Sequence, residues 1–262
     1  MTTTAESAVA DYRKMLSAII NDVMADMGAL NLPEKHMVPG AVYMTIVQST
    51  LECTDLLSKP TITAAGVVRS IFESFADLRA LCKERSYGRR MLATFYEQKV
   101  KLMKDMVANP SNQYHSSLAE HIDPAKGLQE AQALLDAQKQ AGFHQLSNAA
   151  RLISAGLDNE LKSIYWQLCL ESHNNIAAIE NRHIEDWPDG KHHLCVVKDN
   201  RPGELLKLYD TLVTVLIEST LSMHTLAESD RVPNWQKWQA ILGTFRTKYL
   251  QEMAQAKAAQ SA

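Results

Sequence analysis

The chain has 262 residues, 46% of them hydrophobic and 22% charged, with a formal net charge of -3. This composition excludes intrinsic disorder, a collagen-like fibre and a disulfide-stapled miniprotein, and the near-neutral charge excludes the global positive field of a dedicated nucleic-acid binder. A chain of this length removes about 75% of its extended surface from water, so its core needs no metal or disulfide.

Apolar residues recur at spacings of three and four in nearly every segment, and no β-branched run alternates cleanly. The expected fold is therefore all-α: a single multi-helix bundle of about nine helices, one domain over residues 1–262 with its core over about 41–227. The first helix runs from about Ala5 to Leu30, with Val9, Tyr12, Leu16, Ile19, Ile20 and Val23 on one stripe. The second covers about Gly40 to Leu57. Thr63 is an N-cap for the third, about Ala64 to Arg85, and Gly88 marks a break before a fourth from Arg89 to Val107. Residues 111–147 hold few bulky apolar side chains and include an Ala/Gln-rich helix, Leu128 to Gln140, read with its flanks (about 124–142) as a cover over the bundle. A short helix follows at Asn148 to Ala155, then a long one from Asn159 to about Ile184. A turn at Asp186-Trp187-Pro188-Asp189-Gly190 leads into at most a short extended piece at His193 to Val197. Helices from Glu204 to Ala227 and about Asn234 to Ala254 close the chain, with Trp235 and Trp238 as packing anchors.

Cys53, Cys82, Cys169 and Cys195 form no Cys-x-x-Cys pair, which speaks against a zinc knuckle or redox site and fits a reducing, cytoplasmic compartment. The first residues do not read as a secretory signal, and the longest uncharged stretch, His36 to Leu51, is too short and too polar to span a bilayer. No membrane partner is expected.

The long helix from Asn159 breaks the binary pattern. On a wheel of 100° per residue, Leu161, Leu168, Cys169, Ile176 and Ile179 fall within about 60° of Tyr165, Trp166, Leu170, Ala177 and Ile184 widen the apolar arc on one side, and His173, Glu180 and His183 lie inside that arc. Burying ionisable groups is costly unless they find partners, so partners are predicted on a facing helix. The third helix supplies them. Arg69, Glu73 and Asp77 follow at i, i+4 and i+8 beside Val68, Phe72 and Phe75, and Arg79 points into that apolar stripe. These residues form either a surface ion-pair ladder or a buried polar site shared with His173 and His183.

Glu180-Asn181-Arg182-His183 carries the Glu-x-x-His of di-iron bundles, but there is no second copy, and no metal or other cofactor is expected. Nucleotide, hydrolase and kinase fingerprints are absent. Lys83, Arg85, Arg89, Arg90, Lys99, Lys101 and Lys104 crowd the fourth helix with Tyr87 and Tyr96. Such a strip can track a phosphate backbone, with Arg89 and Arg90 as its RNA contacts, or it is a solvated face diluted by Glu84, Glu97 and Asp105.

Arg69-Ser70-Ile71-Phe72-Glu73, followed by Tyr165-x3-Cys169-x3-His173-Asn174-Asn175 and Glu180-Asn181-Arg182-His183, resembles a bacterial family catalogued as domain of unknown function 5677, over about Ala41 to Ile184. The resemblance implies a helical protein of unassigned activity, with the Arg-x3-Glu and the Tyr/His helix as recurrent polar positions. In being a small helical bundle with a polar site between facing helices, the chain is also distantly similar to nucleases of the HEPN superfamily, though their Arg-x4–6-His signature is missing.

Two functions follow. The first is a non-catalytic binding or interaction module whose polar cluster of Tyr165, Asn174, Glu180, His183 and Arg79 fixes helix register. The second is a ribonuclease-like toxin or anti-phage effector in which His173 is the general acid or base and Arg69, beside Glu73, stabilises phosphorane charge. Its partner is a protein or small ligand under the first and RNA under the second; assembly into a homo-oligomer is compatible with either.

Overall fold

A computed structural model describes residues 4–59, 63–172, 176–186, 190–195 and 201–260 of the chain. The all-α class is what the chain adopts. In order, the helices are α1 (Thr4–Asp26), α2 (Met37–Leu57), α3 (Ala64–Lys83), α4 (Tyr87–Ala108), α5 (Gln113–Ala119), α6 (Pro124–Gln140) and α7 (Asn148–Ala155). A single turn, α8 (Asp158–Glu160), then runs through a π turn (Leu161–Tyr165) into α9 (Trp166–Ser172), followed by α10 (Ile176–His183), α11 (Pro202–Leu226) and α12 (Val232–Gln260). Among the described residues helices outnumber the nine expected because residues 111–147 hold α5 as well as α6, and because a π turn divides the stretch read as one helix from Asn159. Two boundaries also move: α2 begins ahead of Pro39 and α4 ahead of Gly88, since proline and glycine are tolerated in a first turn where N–H groups have no intrahelical acceptor.

Among the described residues the β structure is one ribbon, β1 (Ile184–Asp186) antiparallel to β2 (His192–Leu194), with Ile184 opposite Leu194 and Asp186 opposite His192. Gly190, at φ +77, takes a left-handed conformation in the connection that a side chain would disfavour.

The chain divides into two compact units, Met1–Cys82 with Leu152–Ala262, and Lys83–Arg151. In the larger unit, α1 buries Val9, Tyr12, Leu16, Ile19 and Val23 of the stripe its 3-4 spacing predicts against α11, with Ile20 of that stripe half-buried. α11 is buried nearly all round, through Leu212, Val213, Leu216, Ile217 and Met223, so it is the central helix of this unit. Two of its polar residues, Thr220 and Asp210, find partners on other helices. Thr220 donates to the Leu216 carbonyl at 2.7 Å and accepts the Tyr43 hydroxyl at 3.0 Å. Asp210 receives Arg246 of α12 through two N–H groups at 2.7 and 2.8 Å and also accepts the Tyr12 hydroxyl, so one carboxylate ties α1, α11 and α12.

Where α11 meets α12, His224 is fully buried and stacks on Trp235, with ring centroids 6.2 Å apart. Ser229 Oγ accepts the Arg231 N–H and sits 3.0 Å from His224 Nδ1. The other ring nitrogen, Nε2, lies 4.0 Å from Asp26. Burial pushes the His224 pKa down, and Arg231 adds to this while Asp26 and Asp230 oppose it. Trp235 and Trp238 are anchors as expected: their indole N–H groups donate to Asp26 and Asp22 at 3.1 and 2.9 Å.

In the smaller unit, α6 lies along α4. Val100, Ala131 and Leu135 form its core with Tyr96 and Leu128 packed on them. Gly127 permits the approach, because a Cβ there would stand 3.1 Å from Met103 Sδ. Asp123 caps α6 by accepting the Ala125 and Lys126 N–H groups, and Pro124 occupies the first helical position.

Two measurements check this account. Asp210→Ala leaves Arg246 and Tyr12 without their shared acceptor and lowers the unfolding free energy in urea by about 2 kcal/mol. His224 holds fewer protons in the native than in the unfolded chain below its ordinary value of 6.5, so its contribution is complete above that pH and is lost as pH falls through it. His224→Gln flattens the stability profile between about pH 7 and about pH 5, whereas an unchanged slope would show that another group controls it.

Candidate functional site

The i, i+4 spacing on α3 does form an ion pair: Arg69 Nε donates to Glu73 Oε1 at 3.0 Å, and both side chains are largely buried, at 22% and 17% exposure. The pair is not confined to its own helix. Tyr165, at the end of the π turn, donates its hydroxyl to the same Glu73 oxygen at 2.7 Å, and Arg69 Nη1 donates to Ser172 Oγ on α9 at 3.1 Å. The Arg69 guanidinium also lies 6.0 Å from the Tyr165 ring centroid, and Phe72 stacks beside that ring. Glu73 is thus the acceptor at which two helical segments meet.

The electrostatics follow from that geometry. Burial raises the Tyr165 pKa, and the hydrogen bond to Glu73 and its charge raise it further, so the phenol keeps its proton throughout the physiological range. Burial alone would weaken the Arg69 charge, but Glu73 more than reverses this and the arginine pKa rises.

A π turn leads into Tyr165. A turn closed by i→i+5 bonds displaces the following residues from the 3.6-residue period, and such turns recur at functional sites. Here it lies between Leu161 and Tyr165, leaving Tyr165 and Leu168 buried while Trp166 is 58% exposed. Beyond α9 the predicted face does not continue. Ile176 and Ile179 of α10 are exposed, and Glu180, expected to point inward, faces solvent. His183 is half-buried but belongs to the ribbon: its Nδ1–H donates to the Cys195 carbonyl at 3.0 Å, and the Cys195 N–H returns to the His183 carbonyl at 2.9 Å. The shared inward face of Glu180 and His183 is therefore corrected to one built from Tyr165 and Ser172. The expected positions of His173 and Asn174 lie outside the described residues.

Arg79 is half-buried with its guanidinium 5.6 Å from the Phe75 ring centroid, as its place in the apolar stripe implied, two turns away from Glu73 along α3. Asp77 is turned into the core at 3% exposure. Ser172 is the residue that sequence reasoning missed, although seven residues beyond Tyr165 it falls within about 20° of it on the same wheel.

Beside Ser172 opens a cleft of about 430 Å³, bounded by Ser49 of α2, Gly66 and Ser70 of α3, Ser172 of α9 and Arg182 of α10. No group of three His, Cys, Asp or Glu among the described residues is arranged to hold a metal ion.

The basic strip on α4 is partly committed within its own unit. Arg89 donates to Gln138 at 3.3 Å and covers Phe143, Arg90 stands 3.8 Å from Glu84, and Lys139 pairs with Glu97 at 3.2 Å. Tyr87 is fully buried and offers no ring for a base to stack on.

Fold and site together define an all-α protein in which facing helical segments share a buried Arg-Glu-Tyr-Ser network. Residues 37–192 match a family of unknown function (DUF5677), and the chain belongs to that family. The match spans α2 to the start of β2 and includes Arg69, Glu73, Tyr165, Ser172 and Arg182. No curated protein and no solved structure matches the chain, and the similarity to HEPN nucleases finds no support in these comparisons. No helix among the described residues is long and apolar enough to cross a membrane.

The network predicts a ranking. Arg69→Ala removes a charged donor to a largely buried carboxylate and lowers stability by about 2 kcal/mol, whereas Ser172→Ala costs less than about 1 kcal/mol. Chemical denaturation of both variants checks the order, and equal costs would contradict the central place of Glu73.

Proposed function

We propose that this chain is a cytoplasmic, non-catalytic helical binding module in which the Arg69-Glu73-Tyr165-Ser172 network locks α3 against residues 158–172 and the adjoining cleft receives the ligand or partner. The observation that carries this reading is the mutual satisfaction at Glu73, which accepts from Arg69 and Tyr165 at once. A general acid or base works best with a pKa near the operating pH and a path to the proton it moves. Tyr165 is driven away from that range and Arg69 is held charged by its partner, which suits a fixed scaffold.

The ribonuclease reading would assign Arg69 to a phosphate, but Arg69 already donates to Glu73 and Ser172. The commitment of Arg89 and Arg90 to neighbours in their own unit likewise favours a structural use of the strip.

The test is incubation of the full chain with single- and double-stranded RNA and DNA, with and without divalent metal. The binding-module reading predicts no cleavage under any condition. Cleavage by the wild type, abolished by Arg69→Ala at unchanged folded content, would replace it with the nuclease.

A further inference from the structure

The cleft beside the network carries a ligand class. It is bounded by α2, α3, α9 and α10, all in the larger unit, and at about 430 Å³ it falls within the size range of small-molecule pockets. Among the described residues that line it, Arg182 is the one ionisable side chain, and the other polar lining is hydroxyl: Ser49, Thr63, Ser70 and Ser172. No carboxylate opposes the guanidinium from the described walls. Glu171 lies near enough for Arg182 to act on its carboxyl, but burial, Glu204 and Lys207 all weigh more there, and Glu171 does not line the cleft.

The geometry points to a binding site for a compact anionic molecule, its phosphate or carboxylate group held by the Arg182 guanidinium and the surrounding hydroxyls. This deepens the binding reading above and rests on it. Arginine presents a planar fork of N–H donors that matches the oxygens of either group bidentately. The hydroxyls can join it. Ser70 currently donates to the Gly66 carbonyl at 3.1 Å, a within-helix bond of a kind that a serine exchanges readily. Ser172 already accepts from Arg69 and so couples the cleft to the network behind it, which holds that wall in place. Val67 and the open edge of Gly66 leave the rest of the volume for an uncharged body. At Gly66 an added Cβ would meet Ser172 Cβ at 3.8 Å, an ordinary contact, so alanine fits while a longer side chain enters the cleft.

The experiment uses the full chain, with inorganic phosphate and acetate as probes, titrated against sodium chloride at matched ionic strength and followed by melting temperature and calorimetry. The wild type gains a saturable rise in melting temperature with one or both probes. A response to phosphate alone assigns a phosphate group, and a response to acetate assigns a carboxylate. Arg182→Gln weakens the response about tenfold or more, because a charge-assisted fork is lost. Gly66→Ala retains it, and Gly66→Leu, with Arg182 intact, abolishes it by filling the cleft. Equal responses in wild type and Arg182→Gln would reveal only the general salting effect of the anion and would overturn the site, as would no response to either probe. That failure is separable from failure of the binding-module reading, which the nucleic-acid cleavage assay decides.

Discussion

One largely buried carboxylate sets the conditions for the rest of the polar site. A carboxylate removed from water must recover its lost hydration from donors, and Glu73 recovers it from two directions: Arg69 one turn back on its own helix and Tyr165 across the gap. Because those donors come from separate segments, satisfying Glu73 also fixes the register of α3 against residues 158–172. Tyr165 reaches Glu73 from the end of a π turn, and Ser172 then meets the other side of Arg69. The cleft with Arg182 opens beside that serine, so the shape of the pocket depends on an interaction that need not touch a ligand.

The family match divides the protein in an informative way. Residues 37–192 contain the polar network, the cleft and the whole of the smaller unit. The central helix α11 and its partners α1 and α12 lie outside that span, yet they contribute much of the apolar core of the larger unit and carry the Asp210 and His224 junctions. The stretch shared with the family thus supplies the candidate chemistry, while flanking helices supply much of the burial around it.

Much of the fold was legible because it rests on local period. The 3-4 spacing of α1 names the residues that are buried, and the four-residue spacing of Arg69 and Glu73 names an ion pair that forms. Tyr165 was legible as the centre of an apolar arc. So were Leu161, Leu168 and Cys169, which pack on the core as the arc places them, whereas Ile176 and Ile179, beyond residues 173–175, are exposed. Glu180 and His183 were placed inward by carrying the same phase through α10, where one faces solvent and the other is captured by the ribbon. Long-range partners are also invisible to local period: Gln138 stands 49 residues from Arg89, and a strip that reads as free charge is partly occupied by such pairings.

The most direct test of this account is a double-mutant cycle across the gap, with Glu73→Ala, Tyr165→Phe and the double variant compared by urea denaturation. If Glu73 and Tyr165 hold the two helical segments together as described, the losses are non-additive with a coupling of about 1 kcal/mol or more. Losses that add to within about 0.3 kcal/mol would contradict it, because the two side chains would then stabilise the protein independently of each other.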